Sequence, residues 1–221
     1  MSEYLLDPEP ALWPELDISH LFTIGEDYLL FRFYPSDGTH KAKWHEFRHW
    51  GPTANRFDHH PDGPPAQHPR HDVWYAALEE TDKLGDPTGL YTAVAERFQD
   101  SKTVPLNDST ISLVKCSASR TLTLLDLESR WLTQAGGNAA IESGPRDRSR
   151  KWARAIRASY PHIDGLIWRS SVYRPGRAIA LWDLPRVALA RTAKFNRTVP
   201  ELSAALIPAA KHIGYAISWQ P

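Results

Sequence analysis

The stretch HDVWYAALEETDKLGDPTGLYTAVAERFQD, from His71 to Asp100, constrains the fold most, because it commits the chain to a strand and then to a helix. Val73-Trp74-Tyr75-Ala76-Ala77 is a short apolar run bounded by charged residues, the pattern of a buried strand. Asp86 can cap the helix that follows, Pro87 suits its first position, and Thr88 comes next. Leu90, Ala93, Val94 and Phe98 fall on one arc of that helix, which should pack. Glu96 lies off the arc in a helix advancing ~100° per residue. Spacing alone leaves it either solvated or turned toward something other than the core.

The rest of the chain mixes the same two element types. Tyr28–Tyr34, Ile111–Cys116, Thr121–Leu127, Gly165–Ser171 and Ala178–Trp182 read as strands, the last two as a hairpin. Short helical pieces are expected around Trp131 and over Leu202–Ala210, with a last strand at Tyr215–Trp219. A longer helix should run from Gly144-Pro145 to Tyr160, with Trp152, Ala153, Ile156 and Tyr160 as its apolar stripe. Residues 1–26 are punctuated by proline and should wrap the surface, anchored by Leu12, Trp13, Leu16, Ile18, Leu21 and Phe22. The expectation is an α/β (mixed α+β) fold in a single compact domain over 27–221, large enough for a core without staples.

Charge and composition exclude several function classes. The 26 basic residues equal the 26 acidic ones, so net charge gives no pull toward nucleic acid or anionic membrane. The single cysteine, Cys116, cannot form an internal bridge, which fits a reducing cytoplasm. No apolar run approaches the roughly 18 residues of a membrane span, and no secretory signal opens the chain. Glycine-rich phosphate loops of the GxxxxGK or GxGxxG kind are absent.

Within that frame a few residues stand out chemically. Arg32 interrupts the apolar run Leu29-Leu30-Phe31-Arg32-Phe33-Tyr34, and a buried guanidinium needs an anion, whether a protein carboxylate or a ligand. The polar stretch 40–70 is long for an unstructured connection, which favours a functional role. It carries Arg56 beside Phe57, and its histidines His59, His60 and His68, with His71 just beyond, match no familiar metal-ligand spacing; no metal is expected. Ser149 turns a hydroxyl inward near the start of its helix, where free N–H groups favour an anion, or is simply a small residue at the end of a core stripe. Arg146, Arg148, Arg150, Lys151, Arg154 and Arg157 lie mostly away from that stripe, as a solvated or nucleic-acid-binding face.

Taken in order, these pieces resemble the RES domain family, named for a recurring arginine, glutamate and serine. Phe31-Arg32-Phe33 resembles its first strand, and Asn55-Arg56-Phe57-Asp58 its Gly-Arg-Trp/Phe-Asn/Asp element. Trp74-Tyr75-Ala76-Ala77 is similar to its Tyr-Leu-Ala strand, and Thr92-Ala93-Val94-Ala95-Glu96 to the helix that carries the glutamate. Ser149 matches a serine at the head of its helix, and Asp164-Gly165-Leu166-Ile167-Trp168-Arg169-Ser170 resembles an Asp-Gly-Ile-x-Tyr-x-Ser strand. The likeness spans about 28–183, with Asn55 in place of glycine, Phe33 where some members have tyrosine, and a longer gap between Tyr75 and Glu96.

The resemblance implies an ADP-ribosyltransferase-like fold and a toxin enzyme that degrades NAD, a substrate here rather than a cofactor. It also implies neutralisation by an Xre-type antitoxin, through which alone nucleic acid would be involved. On this reading Glu96, Arg32 and Tyr75 are catalytic, and Arg56, Ser149, Phe33 and Ser170 bind substrate. Cleavage of the nicotinamide–ribose bond passes through a cation-like sugar, which a carboxylate stabilises; water or phosphate then attacks. The alternatives are transfer of ADP-ribose to a macromolecule and a non-catalytic interaction module built on the basic helix.

Overall fold

The computed structural model of the chain describes residues 5–182, 189 and 195–219. Residues 1–4 of the expected wrapping segment and residue 183, the end of the resembling stretch, lie outside the described residues. Leu21–Ile24 (β1) and Leu30–Pro35 (β2) come first, and the polar stretch after them holds only two short strands, Trp50–Gly51 (β3) and Ala66–Gln67 (β4). Val73–Leu78 (β5) then leads into the helix Gly89–Arg97 (α1). Thr103–Pro105 (β6), Ile111–Cys116 (β7) and Leu122–Asp126 (β8) precede three helices, Arg130–Gln134 (α2), Ala140–Ser143 (α3) and Arg146–Ser159 (α4). Gly165–Arg169 (β9) and Arg177–Trp182 (β10) form the expected antiparallel hairpin. Phe195–Thr198 (β11), Ser203–His212 (α5) and Ala216–Ser218 (β12) complete the described chain.

The main sheet runs in the order β1-β8-β9-β10-β5-β2-β7-β11, so the fold is mixed α/β. Within it β8 and β9 pair in parallel, and α2–α4 supply the long crossover that a parallel pair requires. On one face Trp131, Trp152 and Ile156 pack against Leu125, Leu166 and Ala180. Each fully buried aliphatic there, such as Ile156, contributes about 1.5–3 kcal/mol. The opposite face, built from Leu30, Trp74, Leu78, Val114 and Ile179, lies under Trp44 and Phe47. A third cluster joins α1 to α5 through Val94, Phe98, Leu206 and Ala209.

One local feature of the sheet prepares the site. β2 pairs with β5 only at Leu30↔Leu78 and Phe31↔Ala77. Beyond that point β2 stays with β7 as far as Pro35, while β5 stays with β10 back to Val73. The sheet therefore splits between Arg32-Phe33 on one side and Tyr75-Ala76 on the other.

Two sequence expectations are corrected. Asp86 does not cap α1; Gly89 N donates to Glu79 Oε2 at 2.7 Å instead, and Asp86 N is bound to Asp82 in the preceding turn. A side chain at Gly89 would strike Glu79 and Phe31, so the helix starts where glycine permits this approach. In the N-terminal segment Leu12 and Ile18 are exposed (71% and 89%), not anchors, because their 3-10 turns present only one side to the protein. Trp13 takes that side, stacked 5.4 Å from Trp152, while Leu21–Ile24 adds an edge strand beside β8.

Candidate active site

The split opens into a cleft of about 370 Å³ that includes Arg32, Phe33, Tyr75, Glu96 and Arg56 in its lining. Arg48, Arg97, Arg146, Gln99, Asp100, Trp168 and Ser171 also line it, so five arginines and two carboxylates contribute to its walls.

Glu96 comes from the last turn of α1, whose apolar arc faces α5 and β2. Its position off that arc aims it at the cleft rather than at water. Glu96 Oε1 accepts a hydrogen bond from Ser170 Oγ at 2.7 Å, and Ser170 Oγ in turn accepts from Val172 N and Tyr173 N. The carboxylate is thus held in one orientation by a loop that is itself pinned. Burial pushes Glu96 above its ordinary pKa, against the Ser170 hydrogen bond and the attraction of Arg56 and Arg146.

Arg56 reaches the cleft from the 52–71 loop and is fixed from behind. Its Nη1 donates to Ile141 O at 3.1 Å and to Ser149 Oγ at 2.8 Å, and Ser149 Oγ donates to Ile141 O at 2.7 Å. Ser149 is fully buried. Both serines named from the sequence therefore stand behind the charged groups, Ser149 behind Arg56 and Ser170 behind Glu96, since their hydroxyls are taken by those contacts. Arg146, at the start of α4, completes this wall by donating to Gln99 Oε1 at 2.9 Å.

Tyr75 projects from the face of β5 that carries Val73, and its ring packs against the core cluster beneath α4. Its hydroxyl is buried without a hydrogen-bond partner among the described residues. Burial, helped by Asp58, pushes the phenol far above its usual pKa despite Arg48, so Tyr75 stays neutral. Phe33 contributes an aromatic wall, its ring edge-on to Phe98 at 5.4 Å.

Arg32 is placed differently from the others. Strand alternation points it to the opposite face of the sheet, where its guanidinium lies 5.0 Å from the Trp74 ring centre and donates to Glu46 O. Its Nη1 is buried with no partner among the described residues, and burial pulls its pKa down to about 9. Arg32 thus borders the split as a desolvated cation, apart from the Glu96–Arg56–Arg146 group.

Arg48 and Arg146 escaped sequence reasoning as site residues. Arg48 lies in an irregular stretch with no period to betray its direction, and Arg146 was one member of a basic run. That run has another use. Arg148 and Lys151 bind Asp7, Arg150 donates to Thr53 O, Arg154 pairs with Asp62, and Arg157 donates to Arg70 O. The basic side of α4 fastens the N-terminal segment and the 52–71 loop, which leaves little of it as a nucleic-acid face. Among the described residues no three His, Cys, Asp or Glu side chains are placed to hold a metal ion, and no helix is long and apolar enough to cross a membrane.

No curated protein matches the chain. Among solved structures, a chain of the M. tuberculosis MbcT–MbcA toxin–antitoxin complex is similar at a TM-score of 0.45 and 17% identity, over 83% of this chain and 91% of that one. The model of the RES domain matches residues 29–204, which takes in β2, the cleft and the helices around it. This chain belongs to the RES domain family.

Proposed function

We propose that the cleft binds NAD and that the protein is a toxin enzyme cleaving the bond between nicotinamide and ribose, with NAD consumed as substrate. The observation that carries this reading is a carboxylate, Glu96, held by Ser170 in a cleft that five arginines line. A dinucleotide brings what such a cleft lacks: a diphosphate for the guanidinium groups and a sugar whose positive charge develops beside a fixed carboxylate. Arg56 and Arg146 hold the diphosphate near Glu96, and Tyr75, whose neutral hydroxyl has no partner among the described residues, lies along the planar ring and offers it a donor. As the bond lengthens, Glu96 stabilises the cationic ribose, and water or phosphate takes the vacated position. An antitoxin of the Xre type, expected from the family, would act by covering this cleft.

The test is release of free nicotinamide from NAD by the purified protein. Glu96→Gln should fold and lower the rate at least tenfold, a barrier increase of about 1.4 kcal/mol or more. Full activity in that variant would end the assignment.

A further inference from the structure

The inner side of the 52–71 loop holds a feature that the proposed chemistry does not use. His59 and His60 are almost wholly buried, and the rings of His59, His60, His68 and His71 pack together with centroids 5.5–6.4 Å apart. His59 lies 5.2 Å from the Trp182 ring at the end of β10. Both ring nitrogens of His59, and Nε2 of His60 and of His68, are buried without a hydrogen-bond partner among the described residues.

We propose that this histidine nest is an acid-operated latch on the cleft: with His59 neutral, the packed rings hold the 52–71 loop in place; with His59 protonated, the loop is released and anion binding weakens. The inference rests on reading the cleft as an anion site. A proton on His59 would place a charge in a dry interior near Arg157, a state that costs far more than it does in water. The surrounding groups offer His59 little compensation. Asp58 is committed to His60, 2.5 Å from its Nδ1, and also accepts from Arg48 Nη2, from Thr53 N and Oγ1, and from His60 N. From α4, Arg154 donates to His60 O and is paired with Asp62, while Arg157 adds a second positive charge. Asp72 pairs with His49. Burial, then Arg157 and the neighbouring imidazoles, hold His59 well below its ordinary pKa, with Asp58 opposing.

The sign follows from that depression. Unfolded, His59 takes up a proton near pH 6.5; packed, it does not, so its contribution to the packing is fully present above about pH 6.5 and is lost as pH falls below it. The same loop carries Arg56 into the cleft, and its Asp58 holds Arg48, which also lines the cleft. Loosening the nest therefore disorders two of the five arginines.

Bare electrostatics predicts the opposite trend, because acid adds positive charge around an anion site. The experiment is calorimetric binding of ADP-ribose at pH 7.5 and pH 5.5. Wild-type affinity should fall at least threefold at the lower pH, whereas His59→Phe, which keeps a ring of similar size against Trp182 but cannot take a proton, should change less than twofold. Unchanged or tighter binding by the wild type overturns the latch, as does an undiminished fall in His59→Phe. Should that variant not fold, His59→Leu serves the same comparison. Amide exchange, corrected for intrinsic pH dependence, separates the latch from the cleft reading. If ADP-ribose binds at neither pH the cleft reading fails, and selective opening of 52–71 at pH 5.5 still supports the latch, while uniform exchange ends it. A rise in Tm with zinc that His59→Phe abolishes would also overturn it.

Discussion

Two charges at the split are held at a cost to the fold. Glu96 has a raised pKa, so its ionised form is disfavoured in the folded chain: that contribution to stability is present below the unfolded pKa and is lost as pH rises through the folded one. Arg32, pulled down to about 9, has the opposite sign: its contribution is lost as pH falls from the ordinary arginine range through the folded value. The ionised form of Glu96 and the charged form of Arg32 are each disfavoured by the burial that holds them, a common mark of a working site. Glu96→Gln should therefore raise Tm while lowering NAD cleavage, each kcal/mol gained reading as about 2–4 °C in a domain of this size. Arg32→Met, which keeps the stem over Trp74, should weaken ADP-ribose binding several-fold without loss of thermal stability; a large drop in Tm with unchanged affinity would return Arg32 to the core. Ser170 has a subtler signature. Its hydrogen bond lowers the pKa of Glu96, so Ser170→Ala should move the acid limb of the pH–rate profile upward as well as reducing the rate; an unmoved limb would make Ser170 a packing residue only.

The elements were legible wherever burial marks the sequence. β5, β7, β10 and α4 fall within a residue or two of their sequence signals, since strands buried on both faces leave continuous apolar runs and a helix buried on one side leaves a stripe. Helix starts were less legible: α1 is capped by Glu79, a residue of the preceding loop brought back by the turn at Asp82–Asp86, and no local rule contains that contact. Arg48 and Arg146 were hidden for the same reason, because a polar stretch carries no record of which side meets the cleft. A close backbone approach, by contrast, does leave a glycine. A side chain at Gly165 would run into Ala180 O and the backbone of Leu181 on the adjacent strand β10. Gly165→Ala should force those central strands apart and cost about 1–3 kcal/mol, measurable by urea unfolding; an unchanged midpoint would mean that the sheet yields there.

At the scale of the whole molecule, one helix secures pieces from distant parts of the chain. The apolar stripe of α4 sits on the sheet, while its basic side binds both Asp7 and the loop that carries Arg56. The cleft is accordingly built by long-range contacts between segments whose order, but not whose meeting, is written locally. The Leu5–Ile24 segment shares this dependence: Trp152 Nε1 donates to Leu6 O, and the Tyr160 hydroxyl to Pro14 O. The family match begins at residue 29, so a domain trimmed to that boundary would lose the lid over an indole-lined pit and leave the β8 strand with a bare hydrogen-bonding margin. Such a trimmed chain should self-associate more than the full chain on a sizing column, and whoever wants the cleft intact must keep the twenty-odd residues that look most dispensable.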